Sequence, residues 1–435
     1  MASSGWRELP LESIAEELTV GHVGPMASEY VDDGIPFLRS LNIEPLRINQ
    51  DDLKYITPAF HQRLDKSALK PGDVVIVRTG KPGACAVIPD WLPVANCSDL
   101  VIVRCGPELD PRFLAFYVNS VAIHHVAAHL VGAVQQHFNV GSARQLLVHL
   151  PPLSEQRSIA HNLGTLDDKI YLNRRMNETL EGIARALFKS WFVDFDPVRA
   201  KSEGRNTGLP KKIADLFPDS FQDSELGDIP SGWGVRSVYD CATFVNGLAF
   251  RTGSFSQGKL GLPVIKIGEL KGGITSQTKF TCDEFEAKYR VRSGDVLFSW
   301  SGNPDTSIDT FLWTDVDGWL NQHIFKLQFH TPNQKVFVYY LLRSLKPVFI
   351  EIARNKQTTG LGHVTTEDMK RLRISWPSQD VLCAFDRMVA PLFNRVHSNS
   401  KLSRKLADLR DTLLPKLISG DLRIPDAEKF IEARL

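Results

Sequence analysis

Residues 34–39 read Gly34-Ile-Pro-Phe-Leu-Arg39, and residues 261–266 read Gly261-Leu-Pro-Val-Ile-Lys266. They lie 227 positions apart, the offset that also separates Gly5-Trp6 from Gly232-Trp233. Further on, Gly72-Asp73 with Gly80-Lys-Pro82 recurs as Gly294-Asp295 with Gly302-Asn-Pro304, and Trp91 recurs as Trp313, all at an offset of 222. Downstream the offset settles at 226. So small a drift means one whole unit written twice, with small changes in loop length. Self-similarity at a fixed period decides the architecture before any local pattern is read.

Working outward, each copy has the same order of parts. A globular half comes first, over 1–150 and 225–377. In it, β-rich runs such as Asp73-Val-Val-Ile-Val-Arg78 and Asp295-Val-Leu-Phe-Ser-Trp300 sit between Gly and Pro turn signals. Helical patterns over 113–131 and 336–353 are interleaved with them. The expected fold is α+β, with a twisted sheet and helices in each duplicated domain. One long helix follows each globular half, over 154–191 and 379–418. The expected division is a first domain at 1–150, a helix at 151–197, a linker at 198–224, a second domain at 225–377, a second helix at 378–420 and a tail at 421–435.

The first helical stretch places Ile159, Leu163, Leu166, Ile170, Asn173, Asn177, Leu180, Ala184, Leu187 and Trp191 at unbroken 4-3 spacing. Adding 226 gives Phe385, Val389, Leu392, Val396, Asn399, Ser403, Leu406, Arg410, Leu413 and Leu417. Both are heptad seams with polar residues at the same two central places. At a rise of 1.5 Å per residue each helix spans roughly 50 Å. Neither buries its stripe alone, so the two are expected to pair. Duplicated halves related by a two-fold axis across the helices make the pair an antiparallel coiled coil. Asn173 then meets Ser403, and Asn177 meets Asn399. Paired polar seam residues fix register at some cost in stability. Pro415 is expected to end or kink the second helix early.

Composition narrows the function class. The chain has 51 Lys+Arg against 50 Asp+Glu, a net of +1. Residues 1–150 hold 12 basic against 16 acidic residues, a net of −4. A stand-alone DNA binder shows a basic surplus, so partners would have to supply much of any phosphate neutralisation. The six cysteines are scattered without a Cys-x-x-Cys pair, which fits a reducing cytoplasm and no zinc site. No apolar run approaches the ~20 residues of a membrane span, and no signal-peptide pattern opens the chain. Catalytic motifs are missing: there is no P-loop, no His-Glu-x-x-His and no Asn-Pro-Pro-aromatic tetrapeptide. His125 and His129 are spaced to share a helix face, but no third ligand accompanies them.

The helix flanks carry a specific resemblance. Leu150-Pro-Pro-Leu-Ser-Glu-Gln-Arg157, Phe188-Lys-Ser-Trp-Phe-Val-Asp-Phe-Asp-Pro197 and Leu216-Phe-Pro-Asp-Ser-Phe221 running into Leu226-Gly-Asp-Ile-Pro-Ser-Gly-Trp233 resemble the central conserved region of type I restriction–modification specificity subunits. Leu413-Leu-Pro-Lys-Leu-Ile-Ser-Gly420 resembles their second conserved region, while Trp376-Pro-Ser-Gln379 is a weak second copy of the Pro-Pro-x-x-Glu-Gln motif. The resemblance runs over essentially the whole chain. It implies a non-catalytic subunit with no cofactor of its own. Each globular half would read one half of a split double-stranded DNA target through the major groove. The helices would set the spacer and dock two methyltransferase subunits, and motor and nuclease (restriction) subunits would join. S-adenosylmethionine and ATP with Mg would be bound by those partners. The alternatives are a protein scaffold built on the coiled coil, and a silent copy without cognate partners.

Candidate DNA contacts sit in loops after the repeat landmarks. In the first copy they are Arg39, Ser40 and Asn42; Arg78, Thr79 and Lys81; and Gln135, Gln136 and His137. In the second copy they are Lys266, Glu269 and Lys271; Ser301 and Asn303; and Gln357, Thr358, Thr359 and His363. Arg and Lys suit guanine edges, and Asn and Gln suit adenine edges.

Overall fold

A computed structural model describes residues 6–120, 138–357 and 360–432. The chain divides into two compact units, Met1–Lys169 with Leu406–Leu435, and Ile170–Lys405.

The first unit holds two sheets. A four-stranded antiparallel sheet runs in the order Cys85–Val87, Val74–Val77, Leu100–Cys105, Ala15–Val20. Its centre, Val74 to Val77, is wholly buried, as a β-branched run flanked on both sides by other strands should be. A second sheet is ordered Tyr30–Val31, Lys54–Ile56, Ile35–Leu38, Ala95–Cys97, Ala68–Leu69. Here Ile35–Leu38 and Ala95–Cys97 run parallel, with Leu38 level with Cys97.

The second unit repeats this plan, with one strand fewer in its second sheet. Its antiparallel sheet is Thr243–Asn246, Ile324–Gln328, Val296–Ser299, Asp309–Leu312. Its second sheet is Phe280–Thr281, Leu262–Ile265, Gly318–Leu320, Arg290–Val291. The parallel strand pair recurs, with Ile265 level with Leu320. Each globular part is closed by a two-stranded ribbon, Arg7–Pro10 with Leu147–Leu150 and Gly234–Ser237 with Arg373–Trp376. The Gly-Asp landmarks are turns. Gly72 and Gly294 have φ of 90° and 98°. Asp73 accepts from Lys70 N at 3.0 Å and Asp295 from Arg292 N at 2.8 Å.

The helical pattern over 336–353 resolves into two helices, Gln334–Ser344 and Lys346–Asn355. Pro347 stands in the first turn of the second, where a missing N–H costs nothing. The pattern over 113–131 gives Pro111–Ser120, and the rest of it lies outside the described residues, as do His125 and His129.

The long helices are Leu153–Phe192 and Gln379–Ile418. The second continues through Pro391 and past Pro415, so Pro415 does not stop it early. Ser419 N still reaches Pro415 O at 3.0 Å, because proline removes a donor but keeps its carbonyl. The helices run antiparallel. Within the second unit, Trp191 packs against Phe385 with ring centroids 5.8 Å apart, and Asn177 bonds Asn399 at 2.9 Å. Within the first unit, Arg410 bonds Asp167 at 2.5 Å. Among the described residues no helix is long and apolar enough to cross a membrane.

Candidate nucleic-acid interface

In each unit the parallel strand pair ends in a junction that carries some of the candidates. Ser98 N bonds Leu38 O at 3.0 Å, and in the second unit Asn321 N bonds Ile265 O at 3.1 Å. One residue on, Asp99 N bonds His22 O at 3.1 Å, matched by Gln322 N to Leu248 O at 2.9 Å. Phe138 N bonds Arg78 O at 3.0 Å, matched by Val364 N to Trp300 O at 2.8 Å. The backbone scaffold is therefore the same twice, while the side chains on it differ.

Arg39 and Lys266 occupy matched positions, each opening a short helical turn. Arg39 N donates to Asn42 Oδ1 and Lys266 N to Glu269 Oε2, both at 3.0 Å. Asn42 and Glu269, two of the candidate base readers, are thus engaged in hydrogen bonds within their own turns. Asn42 is fully buried, and its Nδ2 is spent on Asn49 O and Asp51 O at 3.2 and 3.1 Å. Glu269 takes its second bond from Thr278 Oγ1 at 2.9 Å. Both residues shape the turn that presents the basic side chain before them. Ser40 is half-buried beside Arg39, and Lys271 is exposed in the last turn of Ile267–Gly272.

Arg39 gives its Nη2 to both the backbone O and Oδ2 of Asp52. Lys54 also bonds that carboxylate, at 2.7 Å. The hydrogen bond from Lys54, then that from Arg39, lowers the Asp52 carboxyl to about 2. Arg78 donates from Nη1 to Asp99 Oδ1 at 2.6 Å and from Nε to Phe138 O at 3.2 Å. Thr79 Oγ1 donates to the other oxygen of Asp99 at 3.2 Å. Lys81 is exposed.

The second unit brings Ser301 and His363 together directly, as partners in a two-stranded ribbon. Asn303 follows and caps the turn Pro304–Ser307, its Oδ1 accepting from Asp305 N and Thr306 N at 3.1 Å. Asn303 is exposed. Gln357 is exposed. Gln135, Gln136, His137, Thr358 and Thr359 lie outside the described residues.

Several side chains of these junctions were not anticipated from the sequence. Asp52 and Asp99 hold the two arginines. In the second unit, Trp300 gives Nε1 to Asn246 Oδ1 at 3.2 Å and meets His323 edge-on at 5.8 Å. The repeat offset pointed at Trp300, the counterpart of Arg78. The aspartates gave no signal beyond being polar residues between apolar runs.

On the helices, Asn399 Nδ2 donates to Asn177 Oδ1 at 2.9 Å. Among the described residues Asn173 Nδ2 and Ser403 Oγ are buried without a hydrogen-bond partner, so no bond joins that second expected pair. Among the described residues no cluster of His, Cys, Asp or Glu could hold a metal ion.

Known proteins share this arrangement. A family model described as the type I restriction modification DNA specificity domain matches residues 36–182 and again 230–381. The chain is similar to the type I restriction enzyme HindI specificity subunit of Haemophilus influenzae, 26% identical over 329 residues, 65% of this chain and 70% of that protein. It is similar to the MjaIX specificity subunit of Methanocaldococcus jannaschii, 29% identical over 294 residues, 65% of this chain and 62% of that one. Its fold is similar to that of the type I restriction–modification S subunit from M. genitalium, with a TM-score of 0.62 at 14% identity, covering 95% of this chain and 96% of that one. With the specificity domain matched twice, over most of the sequence and on two units of matching sheet plan, the chain belongs to the family of type I restriction–modification specificity subunits.

Proposed function

We propose that this chain is the non-catalytic sequence reader of a type I restriction–modification complex. Each globular domain, 1–150 and 225–377, reads one half of a bipartite target in double-stranded DNA. The observation that carries this is the pair of matched strand-end junctions, identical in backbone hydrogen bonding and different in side chains. Two copies of one scaffold with different chemistry at the same place suit two different half-sites, and hence an asymmetric target. Base edges in the major groove are read by such side chains, while phosphate contacts supply affinity. The near-neutral charge, +1 overall, assigns much of the phosphate contact to partner subunits.

In this reading the antiparallel helices set the spacer and dock two methyltransferase subunits, which bind S-adenosylmethionine. Restriction subunits bring ATP and Mg. The chain itself holds no cofactor and works in the cytoplasm. The test is a genome-wide adenine-methylation map of cells with and without this gene. Loss of one split, asymmetric motif methylated on both strands supports the proposal. An unchanged map overturns it in favour of a protein scaffold or a silent copy.

A further inference from the structure

Among the described residues, four that are not glycine have left-handed backbone: Leu46, Asp52, Asp99 and Phe195. Two are aspartates, at φ of 50° and 46°, and each clamps one arginine of the first unit's junction. Holding a non-glycine residue there costs conformational energy, and such strain collects where a side chain must be aimed. The clamps are also neighbours. Arg39 follows Leu38 and Asp99 lies two residues after Cys97, at the end of the same parallel pair.

The two clamps leave different edges free. Arg39 spends Nη2 twice on Asp52, so only Nη1 remains at its tip. Arg78 spends Nε on Phe138 O and one Nη1 proton on Asp99. Among the described residues its Nη2 has no hydrogen-bond partner, and the side chain is 17% exposed. What remains is the end-on fork of Nη1 and Nη2. Guanine offers N7 and O6 to that fork in the major groove. An unclamped arginine on a loop would be free to settle on any phosphate. One held at Nε and Nη1 points its fork in a fixed direction.

Among the described residues the second unit has no such device. Trp300 stands in place of Arg78 and Gln322 in place of Asp99, on the same backbone hydrogen bonds. The indole N–H is taken by Asn246, so this position offers a flat aromatic surface instead of a donor fork.

We infer that Arg78, aimed by Asp99, reads a guanine in the half-site engaged by the first unit, with Asp99 as the positioning residue of that contact. The other half-site is read at the matched place without an arginine. This rests on the sequence-reading function proposed above.

The test uses the full chain assembled with its methyltransferase subunits and S-adenosylmethionine. Methylation rates are measured on duplexes carrying each base at each target position. Asp99→Asn keeps the side-chain shape and a residue type that tolerates left-handed backbone. Arg78→Lys keeps the charge and removes the fork. Wild type should demand guanine at one position of one half-site. Both variants should lose about 5- to 150-fold of that discrimination, with the other half-site and the spacer unchanged. Discrimination kept intact in both variants overturns the inference. So does an equal loss on every duplex, which marks a phosphate contact, or a half-site whose Arg78-dependent base is not guanine. A wild-type complex that recognises no split target overturns the sequence-reading function first. A thermal midpoint matching wild type shows that a variant is folded, and Arg78→Lys carries the test if Asp99→Asn is not.

Discussion

Asn399 donates Nδ2 to Asn177 Oδ1 at 2.9 Å, and Asn177 donates in turn to Val396 O at 3.3 Å and Ser400 Oγ at 3.0 Å. This network sits in a seam where Asn399 is 2% exposed. Removing one member strands the others. Asn177→Ala should lower stability by about 1–3 kcal/mol, the cost of leaving a buried polar group unpaired. Replacing both asparagines with leucine should recover most of that, as a heptad seam accepts leucine. Denaturant titration of the three proteins checks it. A double variant no more stable than the single one would show that the network does more than satisfy itself.

A second seam contact differs between the units. Asp167 and Arg410 form an ion pair in the first unit. The offset of 226 places Phe393 and Ala184 at the matched positions of the second, both buried in one apolar cluster. Asp167→Ala should cost about 1–3 kcal/mol, since a half-buried guanidinium loses the more buried of its two carboxylate partners, while Asp411 at 2.7 Å and solvent meet part of the penalty. Asp167→Phe combined with Arg410→Ala copies the other unit and should be neutral or stabilising. Thermal unfolding of single and double variants reads this out.

His397 gives a pH dependence. Its ring faces Ser293 Oγ at 3.1 Å, with Lys335 and Lys401 nearby. Burial first, then those two lysines, hold its pKa below the ordinary imidazole value of about 6.5. The unfolded chain therefore protonates this imidazole before the folded one does. The stabilising contribution is complete above about pH 6.5 and is lost as pH falls through the folded pKa. Unfolding midpoints from pH 7.5 down to 5 should fall, and His397→Gln should flatten part of that slope. Parallel slopes would remove His397 from the account.

Gly302 has φ of 114°, and an added Cβ would lie 2.8 Å from Ser307 Cβ. Gly302→Ala should cost about 1–3 kcal/mol and disturb the ribbon pairing Ser301 with His363. Methylation of one half-site should weaken while the other is kept. Equal weakening of both would place the loop outside base reading.

Seven residues inserted into the first long helix alone should change the spacer between half-sites or abolish pairing, as half-site distance follows helix length in the proposed function. Methylation mapping gives the new spacer directly. An unchanged spacer means that the helices do not set it.

Much of this was legible in advance, for physical reasons. The repeat offsets located both sheets, because strand and turn residues recur where the backbone must bend the same way, as at Gly72 and Gly294. The heptads located both long helices. What escaped was whatever depends on a distant partner. Asn42 reads as an adenine-type side chain, yet tertiary folding brings Asn49 and Asp51 onto its amide. Asp52 and Asp99 look like ordinary loop aspartates until the strands place Arg39 and Arg78 beside them. Pro415 reads as a helix stop, but it removes one hydrogen bond only, and its carbonyl still accepts from Ser419 N in the last turn.

Glu155 takes one bond from Trp6 Nε1, at 3.2 Å, and another from Arg423 Nη1, at 2.8 Å. Arg423 lies 268 residues further along the chain. A ribosome delivers Trp6 and Glu155 early and Arg423 late, so the first unit stays without its second helical strand while all of the second unit is synthesised. The domain begun first is the one finished last, and premature termination anywhere in the second copy would leave the first exposed to proteases and chaperones.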